Sequence, residues 1–498
     1  MPVVRLDGTG LDADTVARLA DGGAVPEVPP ETYARAERSW HTARRLAATG
    51  PLYGRDTGVG AHRMVFVSDE DRAGQDLRLL RSHAGGIGAL LPARQVRAML
   101  AVRANQLLAG GSGLRPAVVR ALVEALRLGV HPAVNEYGAV GTGDLTALAQ
   151  TGLTLIGELP WRYGDGLPVP VDGTCAAQAP PVPEPVVLEP GDALALMSSN
   201  ALTLGQAALV CHDMEVLLHA SHAVAALSLA AVSGSLEAYA APVHALRSYP
   251  GTLHAAAEVR RLLGVPDRPR LPGRRIQDPY GFRAFPQVHG PALDAVGALR
   301  AVVGVEVNCP SENPLISEDG PEGGPAAYHH GGFFATPLGL ALDHLCLAVL
   351  QTGQLSAARL SSFGDGELTG LRPYLAGGVA ASSGVMILEY SANSALAEVR
   401  ACASPASVGH TVLSQGTEEA ASFASQAVRQ ALRALDAYRL VLACELVAAV
   451  RALRLHPVLP DAPVFAVLDA GLPVDTEDRP LTDDVTAAAA LLPTLAAL

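Results

Sequence analysis

Tyr53 sits in the run Tyr53-Gly54-Arg55-Asp56-Thr57-Gly58-Val59-Gly60, a phenol on a loop whose glycines permit mobility that side chains would hinder. Such a phenol can serve as a general acid or base once positive or hydrogen-bonding neighbours lower its pKa; the plainer alternative is a ring anchored on the core with its hydroxyl in water. Ser82-His83-Ala84-Gly85-Gly86 sets an imidazole at a helix end, where it is either a cap or a substrate contact. Asn200, in Met197-Ser198-Ser199-Asn200-Ala201, reads as part of a polar cluster within a long apolar helix, a costly placement that points to function. The densest cluster is Arg274-Arg275-Ile276-Gln277-Asp278-Pro279-Tyr280-Gly281-Phe282-Arg283. Its arginines can grip a carboxylate through two parallel hydrogen bonds, and Gln277 and Tyr280 can orient an amine or supply a proton. The competing reading pairs those arginines with the chain's excess carboxylates.

Three further clusters follow. Ser311-Glu312-Asn313-Pro314 is a turn, His329-His330-Gly331-Gly332-Phe333-Phe334 is a glycine-softened turn, and Gln415-Gly416-Thr417-Glu418-Glu419 reads as the opening of a helix. The adjacent histidines lack the spacing of a zinc hydrolase, and no metal site is expected. Gly141-Thr142-Gly143-Asp144 interrupts the helical pattern, with Asp144 placed to cap the helix that follows.

These clusters must be held by helices. Helical periodicity runs through residues 11 to 50 with a break at Pro26, Pro29 and Pro30, and resumes at Asp71 to Leu80, Ala93 to Leu108, Ala117 to Leu128 and Leu145 to Ile156. The proline-rich stretch Ala177 to Pro190 marks a boundary. Beyond it lie long Ala/Leu-rich segments at Gly191 to Leu236, Val288 to Val307, Gly339 to Leu360, Gly384 to Arg400 and Thr417 to Leu453. The expected fold is mainly α: an active-site domain over residues 1–190, smaller and mixed, carrying the Tyr53 and Gly141 loops, and a central and C-terminal helical bundle over 191–498.

Composition agrees. Apolar residues are 49% and aromatics 4%, so Ala, Leu and Val must supply the core, as in a large helical bundle. All 36 basic residues are Arg, and the net charge of −13 argues against nucleic acid or an anionic membrane surface. Six scattered cysteines without a C-x-x-C imply buried thiols. There is no secretory leader pattern, and the most apolar run, Ala223 to Val232, spans only about ten residues, too few to cross a bilayer. A cytoplasmic protein with a small-molecule partner is expected.

In order and spacing the clusters resemble the histidine ammonia-lyase family, within the lyases and aminomutases that carry a 4-methylideneimidazol-5-one (MIO) electrophile. Gly138-Ala139-Val140-Gly141-Thr142-Gly143-Asp144-Leu145 resembles its G-S-V-G-A-S-G-D-L, one residue shorter and with Gly-Thr-Gly for Ala-Ser-Gly. The Tyr53 loop resembles Y-G-x-x-T-G-x-G, Ser82-His83-Ala84 resembles S-H-A, and Gln277 to Arg283 resembles Q-D-P-Y-S-L-R. Ser311 to Pro314 resembles S-D-N-P, Gly332-Phe333-Phe334 resembles N-F-H, and Thr417-Glu418-Glu419 resembles Q-E-D. The resemblance implies a homotetramer whose active sites each draw on three chains. It implies that Tyr53 removes the substrate's β-proton, Arg283 grips its carboxylate, and Tyr280 and Gln277 support the electrophile and the amine. His83, Glu418 and Phe333 then face the substrate, and the asparagine role falls to Asn200, or to Ser198 by ungapped counting from Leu194.

The resemblance also implies how the electrophile forms: the Gly143 nitrogen attacks the Gly141 carbonyl, and loss of water from Thr142 leaves an ethylidene rather than a methylidene group. The expected activity is elimination of ammonia from histidine or a polar aromatic amino acid, with no metal or dissociable cofactor. The alternatives are an electrophile-free homologue in which Tyr53 and Tyr280 carry out acid/base elimination, isomerisation or cyclisation on another substrate, and a non-catalytic binding homologue.

Overall fold

A computed structural model describes residues 1–165, 181–269, 275–321, 323–456, 462, 464–466 and 471–498. Arg274, Cys175 and the first residues of the proline-rich stretch lie outside them. The chain is mainly helical, 59% by residue.

Two compact units partition the chain, but not at residue 190. One unit comprises residues 1–212, 300–340 and 406–428; the other comprises 213–299, 341–405 and 429–498. Proline ends helices and so marks a break along the chain, yet compactness is set by which helix faces pack. Four of the five unit boundaries fall inside the helices Ala201–Ala231, Phe285–Glu306, Thr336–Ser362 and Ala424–Leu455, and the fifth lies at Pro405–Ala406, just past the helix Ile387–Cys402. The mixed unit is therefore the larger one, since it takes in two later segments.

In the first unit the described strands form four two-stranded ladders: Val3–Arg5 parallel to Val25–Glu27, and antiparallel pairs of Ile87–Leu90 with Asn135–Tyr137, Val130–Pro132 with Trp161–Tyr163, and Leu315–Ser317 with Ala326–Tyr328. Its axis is the helix Ala93–Leu108, in which Ala98 through Leu108 are all buried. That burial includes Arg103, Asn105 and Gln106, all at 0% exposure, and each is hydrogen-bonded as a buried polar group must be. Asn105 donates to the Val307 carbonyl and accepts from the Gly8 N–H, both at 2.9 Å, which ties the N-terminus and the 300–340 segment to the same helix.

The second unit has no strand among its described residues and is built of helices joined by turns and loops. At its centre Glu445, fully buried, receives Arg359 at 2.6 and 2.8 Å and the hydroxyls of Ser228 and Ser356 at 2.6 Å each. Four donors on one carboxylate offset much of the cost of burying the charge pair.

Two local expectations change. The segment Gly191 to Leu236 is not one helix: Asp192–Met197 and Ala201–Ala231 are separated at Ser198-Ser199-Asn200, so the polar cluster forms a break rather than a helix interior. The final long helix starts at Ala424, not Thr417, because Ser414, Gln415 and Phe423 adopt φ of +50°, +56° and +52°, and Leu413 bridges Glu418 in a tight antiparallel turn. The ten-residue apolar run also understated the helices. The helical stretch Asp192–Ala231, broken at 198–200, and the helices Phe285–Glu306 and Thr336–Ser362 are each long and apolar enough, by length and composition alone, to cross a membrane. In the first of these, 83% of the most apolar window is buried inside the protein, as core packing requires.

Candidate active site

The helix break at residues 198–200 is the point on which the first unit's loops converge. Ser199 donates its hydroxyl to Gln106 Oε1 at 2.7 Å, so the break is fastened to the buried axis. Arg103, on the same helix, donates through Nε to the Leu196 carbonyl at 2.9 Å, donates to the Ala195 carbonyl, and pairs with Glu312 at 2.8 Å. Burial pushes the Glu312 carboxyl above its usual range, against the pull of the Arg103 guanidinium. The turn that carries Glu312 is tied back in turn, Ser311 Oγ donating to the Ser198 carbonyl and the Asn313 N–H to Ser198 Oγ, each at 3.1 Å.

Asn200 is buried, and its Nδ2 donates to the Phe333 carbonyl at 2.5 Å. Its Oδ1 is buried with no hydrogen-bond partner among the described residues, leaving an acceptor open to a donor from elsewhere. Ser198 Oγ already accepts from the Asn313 N–H, whereas Asn200 Oδ1 accepts from none of the described residues. Phe333 is half-buried and enters this cluster through its backbone carbonyl.

The Gly141-Thr142-Gly143 loop joins the same point. Asp144 N–H donates to the Ser199 carbonyl at 2.7 Å. The Asp144 carboxylate does not cap its own helix; it accepts from the N–H and hydroxyl of Thr203 at 2.8 and 2.9 Å. From the other side the loop is held by residues 422–426. Phe423 N–H donates to the Val140 carbonyl at 2.8 Å, and Ser425 Oγ and Gln426 Nε2 donate to the Ala139 carbonyl at 2.9 and 3.0 Å. Ser422 Oγ donates to the Gly141 carbonyl at 2.7 Å. Gly141 has φ +86° and Gly143 +133°, and both are buried. A β-carbon at position 141 would lie 2.2 Å from Ser422 Oγ, so glycine is required there. This arrangement fits a ring closure between positions 141 and 143: the carbonyl that would be attacked carries a hydroxyl donor, and the nitrogen that would attack belongs to a glycine. The Thr142 side chain departs from the serine pattern but not from the chemistry of losing a β-hydroxyl.

Tyr53 accepts a hydrogen bond at its hydroxyl from the Gly60 N–H at 2.8 Å, so its loop closes on itself. Its ring stands edge-on to His329 at 6.2 Å. The far end of the loop meets the Leu413–Glu418 turn: Arg63 donates to Thr417 Oγ1 at 2.6 Å, and a β-carbon on Gly60 would stand 3.2 Å from Ser414 Oγ and 3.9 Å from Glu418 Oε1. Glu418 itself accepts from Ser414 Oγ at 3.0 Å. Tyr53 and Glu418 thus belong to one loop cluster. A cavity of about 50 Å³ beside Tyr53, bordered by Leu194, Ser198 and Glu312, has room for a few waters and not for an amino acid. His83 ends the helix Gln75–His83, its Nδ1 3.0 Å from both the Leu79 carbonyl and Ser82 Oγ, so that Nε2 is the ring nitrogen left to meet a ligand.

The remaining candidates belong to the second unit. Asp278 anchors their turn, accepting from Arg275 Nε at 2.9 Å and from the Ser235 N–H at 2.6 Å, and Arg359 donates to the Gly281 carbonyl at 3.1 Å. On this base Gln277 is exposed, Tyr280 is 69% exposed, and the Arg283 guanidinium lies 4.4 Å above the Tyr280 ring.

Arg103, Gln106, Thr203, Ser422, Ser425 and Gln426 hold the site together without standing in any of the short motifs. Ser422 and Ser425 had a readable signal, hydroxyls just before a long Ala/Leu run where helix caps belong. The buried helix residues had none, because their partners are about 60 to 280 positions away.

Residues 11–469 match the model of the family described as aromatic amino acid lyase. The chain is 34% identical over 514 residues to a histidine ammonia-lyase of Anaeromyxobacter dehalogenans, covering 99% of each chain. A similar fold occurs in the tyrosine aminomutase from Streptomyces globisporus, with a TM-score of 0.90, 28% identity, and coverage of 99% of this chain and 97% of that one. The histidine ammonia-lyase from Trypanosoma cruzi superposes with a TM-score of 0.88 at 25% identity, covering 99% of this chain and 94% of that one. These likenesses do not favour the electrophile-free alternative.

Proposed function

Since this chain belongs to the aromatic amino acid lyase family and is a carbon–nitrogen lyase, we propose that it eliminates ammonia from histidine or a polar aromatic amino acid, using an electrophile formed from Gly141-Thr142-Gly143. The observation that carries this reading is the Gly141 loop, whose two buried glycines hold positive φ while the Gly141 carbonyl receives a hydroxyl donor. Members of this family are MIO-dependent in general. When formed, such a group supplies the electrophilic carbon that makes ammonium able to leave.

The rest falls to the chain's own side chains. Tyr53 takes the β-proton, its hydroxyl oxygen held in place by the Gly60 N–H. Asn200 Oδ1, buried and unpartnered, accepts from the substrate ammonium. Arg283 binds the carboxylate, and Tyr280 and Gln277 support the amine and the electrophile. His83 and Glu418 meet the polar ring, with His83 Nε2 accepting from a ring N–H. Phe333 contributes a wall and the carbonyl that orients Asn200. The exposure of Gln277 and Tyr280, and the small size of the cavity beside Tyr53, support a homotetramer in which neighbouring subunits complete each pocket.

Intact mass together with product absorbance tests the reading. The expected result is a chain lighter by two waters, about 36 Da, that generates urocanate- or cinnamate-type absorbance from histidine, tyrosine or phenylalanine. A chain of unmodified mass would sink it.

A further inference from the structure

Resting on that ring-closure reading, we infer that Ser422 drives formation of the electrophile by polarising the Gly141 carbonyl. Closure requires the Gly143 nitrogen to bond to the Gly141 carbonyl carbon. The carbonyl oxygen and two protons leave as one water, and the Thr142 hydroxyl with its α-proton leaves as a second. An amide carbonyl is a poor electrophile, so the slow step is build-up of negative charge on the Gly141 oxygen. A fixed donor at that oxygen stabilises the charge as an oxyanion hole does.

Ser422 is built for this contact. Its Oγ donates to the Gly141 carbonyl at 2.7 Å and accepts from the Ala424 N–H at 3.3 Å. The second bond orients the hydroxyl proton toward the carbonyl. The same hydroxyl lies at the N-terminus of the 32-residue helix Ala424–Leu455, whose positive end favours developing negative charge. Position 141 shows the same design from the other side: the methyl that an alanine would bring falls 2.2 Å from Ser422 Oγ, so a glycine there is what lets the hydroxyl reach. Ser425 provides an internal control, because it anchors the same loop through the Ala139 carbonyl at 2.9 Å without touching a reacting atom.

The test is time-resolved intact mass of the freshly synthesised full chain, with circular dichroism on the same samples. Wild type is expected to lose about 36 Da; Ser422→Ala is expected to do so roughly 100-fold more slowly, and Ser425→Ala, which loosens the loop without touching a reacting atom, only a few-fold more slowly. If Ser422→Ala does not fold, Ser422→Cys keeps the volume with a weaker donor and is expected to close slowly at wild-type helicity. Closure of the folded Ser422 variant at the wild-type rate overturns the inference while leaving the ring reading intact, as does equal slowing by Ser425→Ala. A wild-type chain of unmodified mass overturns both.

Discussion

The carboxylate of Asp144 takes both donors of Thr203, the N–H at 2.8 Å and the hydroxyl at 2.9 Å, while its own N–H reaches the Ser199 carbonyl at 2.7 Å. One buried aspartate thereby joins the Gly141 loop to the helix break that holds Asn200. Asp144→Ala strands two buried donors, and each costs about 1–3 kcal/mol when left unpaired. The expected outcome is a lowered melting temperature together with incomplete loss of the two waters, read by calorimetry and intact mass.

Gly141→Ala meets both a positive φ of +86° and a contact of 2.2 Å with Ser422 Oγ. The backbone cost alone is about 1–2 kcal/mol. Denaturant titration should show a drop at least that large, and pairing it with Ser422→Gly should recover part of it by removing the clash.

The Arg103–Glu312 pair is fully buried under the 198–200 break. Glu312→Ala leaves the guanidinium without its counter-charge, a change that costs about 3–5 kcal/mol. Loss of Arg103 should cost as much. A double variant replacing both by apolar residues should recover a measurable part of that loss, seen in a double-mutant cycle of unfolding free energies.

Tyr53→Phe removes the proposed base without removing the ring that packs near His329. Turnover should fall by roughly 10²–10⁴-fold, with the two-water mass loss unchanged. A variant that keeps wild-type turnover excludes Tyr53 as the base.

Acidification should act oppositely on the two units. Burial, reinforced by Asp76 and Glu189, pushes the Asp192 carboxyl up to about 6. Its protonated form is favoured in the folded state, so this contribution is complete below pH 4 and lost as pH rises through 6, worth up to about 3 kcal/mol. Burial, with Arg359 nearby, pushes His289 down to about 3. The unfolded chain then takes up the proton first, and stability drains away as pH falls from 6.5 toward 3. Hydrogen exchange should show peptides around His289 loosening between pH 6.5 and 4 while those around Asp192 tighten, and Asp192→Asn should flatten the second trend.

The helical class, the long Ala/Leu segments and the loops bearing Tyr53, His83, Gln277, Tyr280, Arg283 and Glu418 were all legible in the residues, because helix periodicity, glycine and proline act over a few neighbours. Errors arose where a distant partner overrode a local preference. The Asn200 cluster looked like a helix interior and is a break, held by Gln106 and by residues 311–313. Asp144 looked like a cap and instead binds Thr203. Residues 417–423 looked helical, yet the turn at Ser414-Gln415 and the contacts of Ser422 and Phe423 to the Gly141 loop delay the helix to Ala424. By itself the sequence determined which short motifs exist and that a Gly-Thr-Gly stands among them. Only the tertiary structure decided that a hydroxyl 281 positions away lies on the Gly141 carbonyl, because hydrogen bonds between buried groups are chosen by the packing of whole helices and leave no periodicity along the chain.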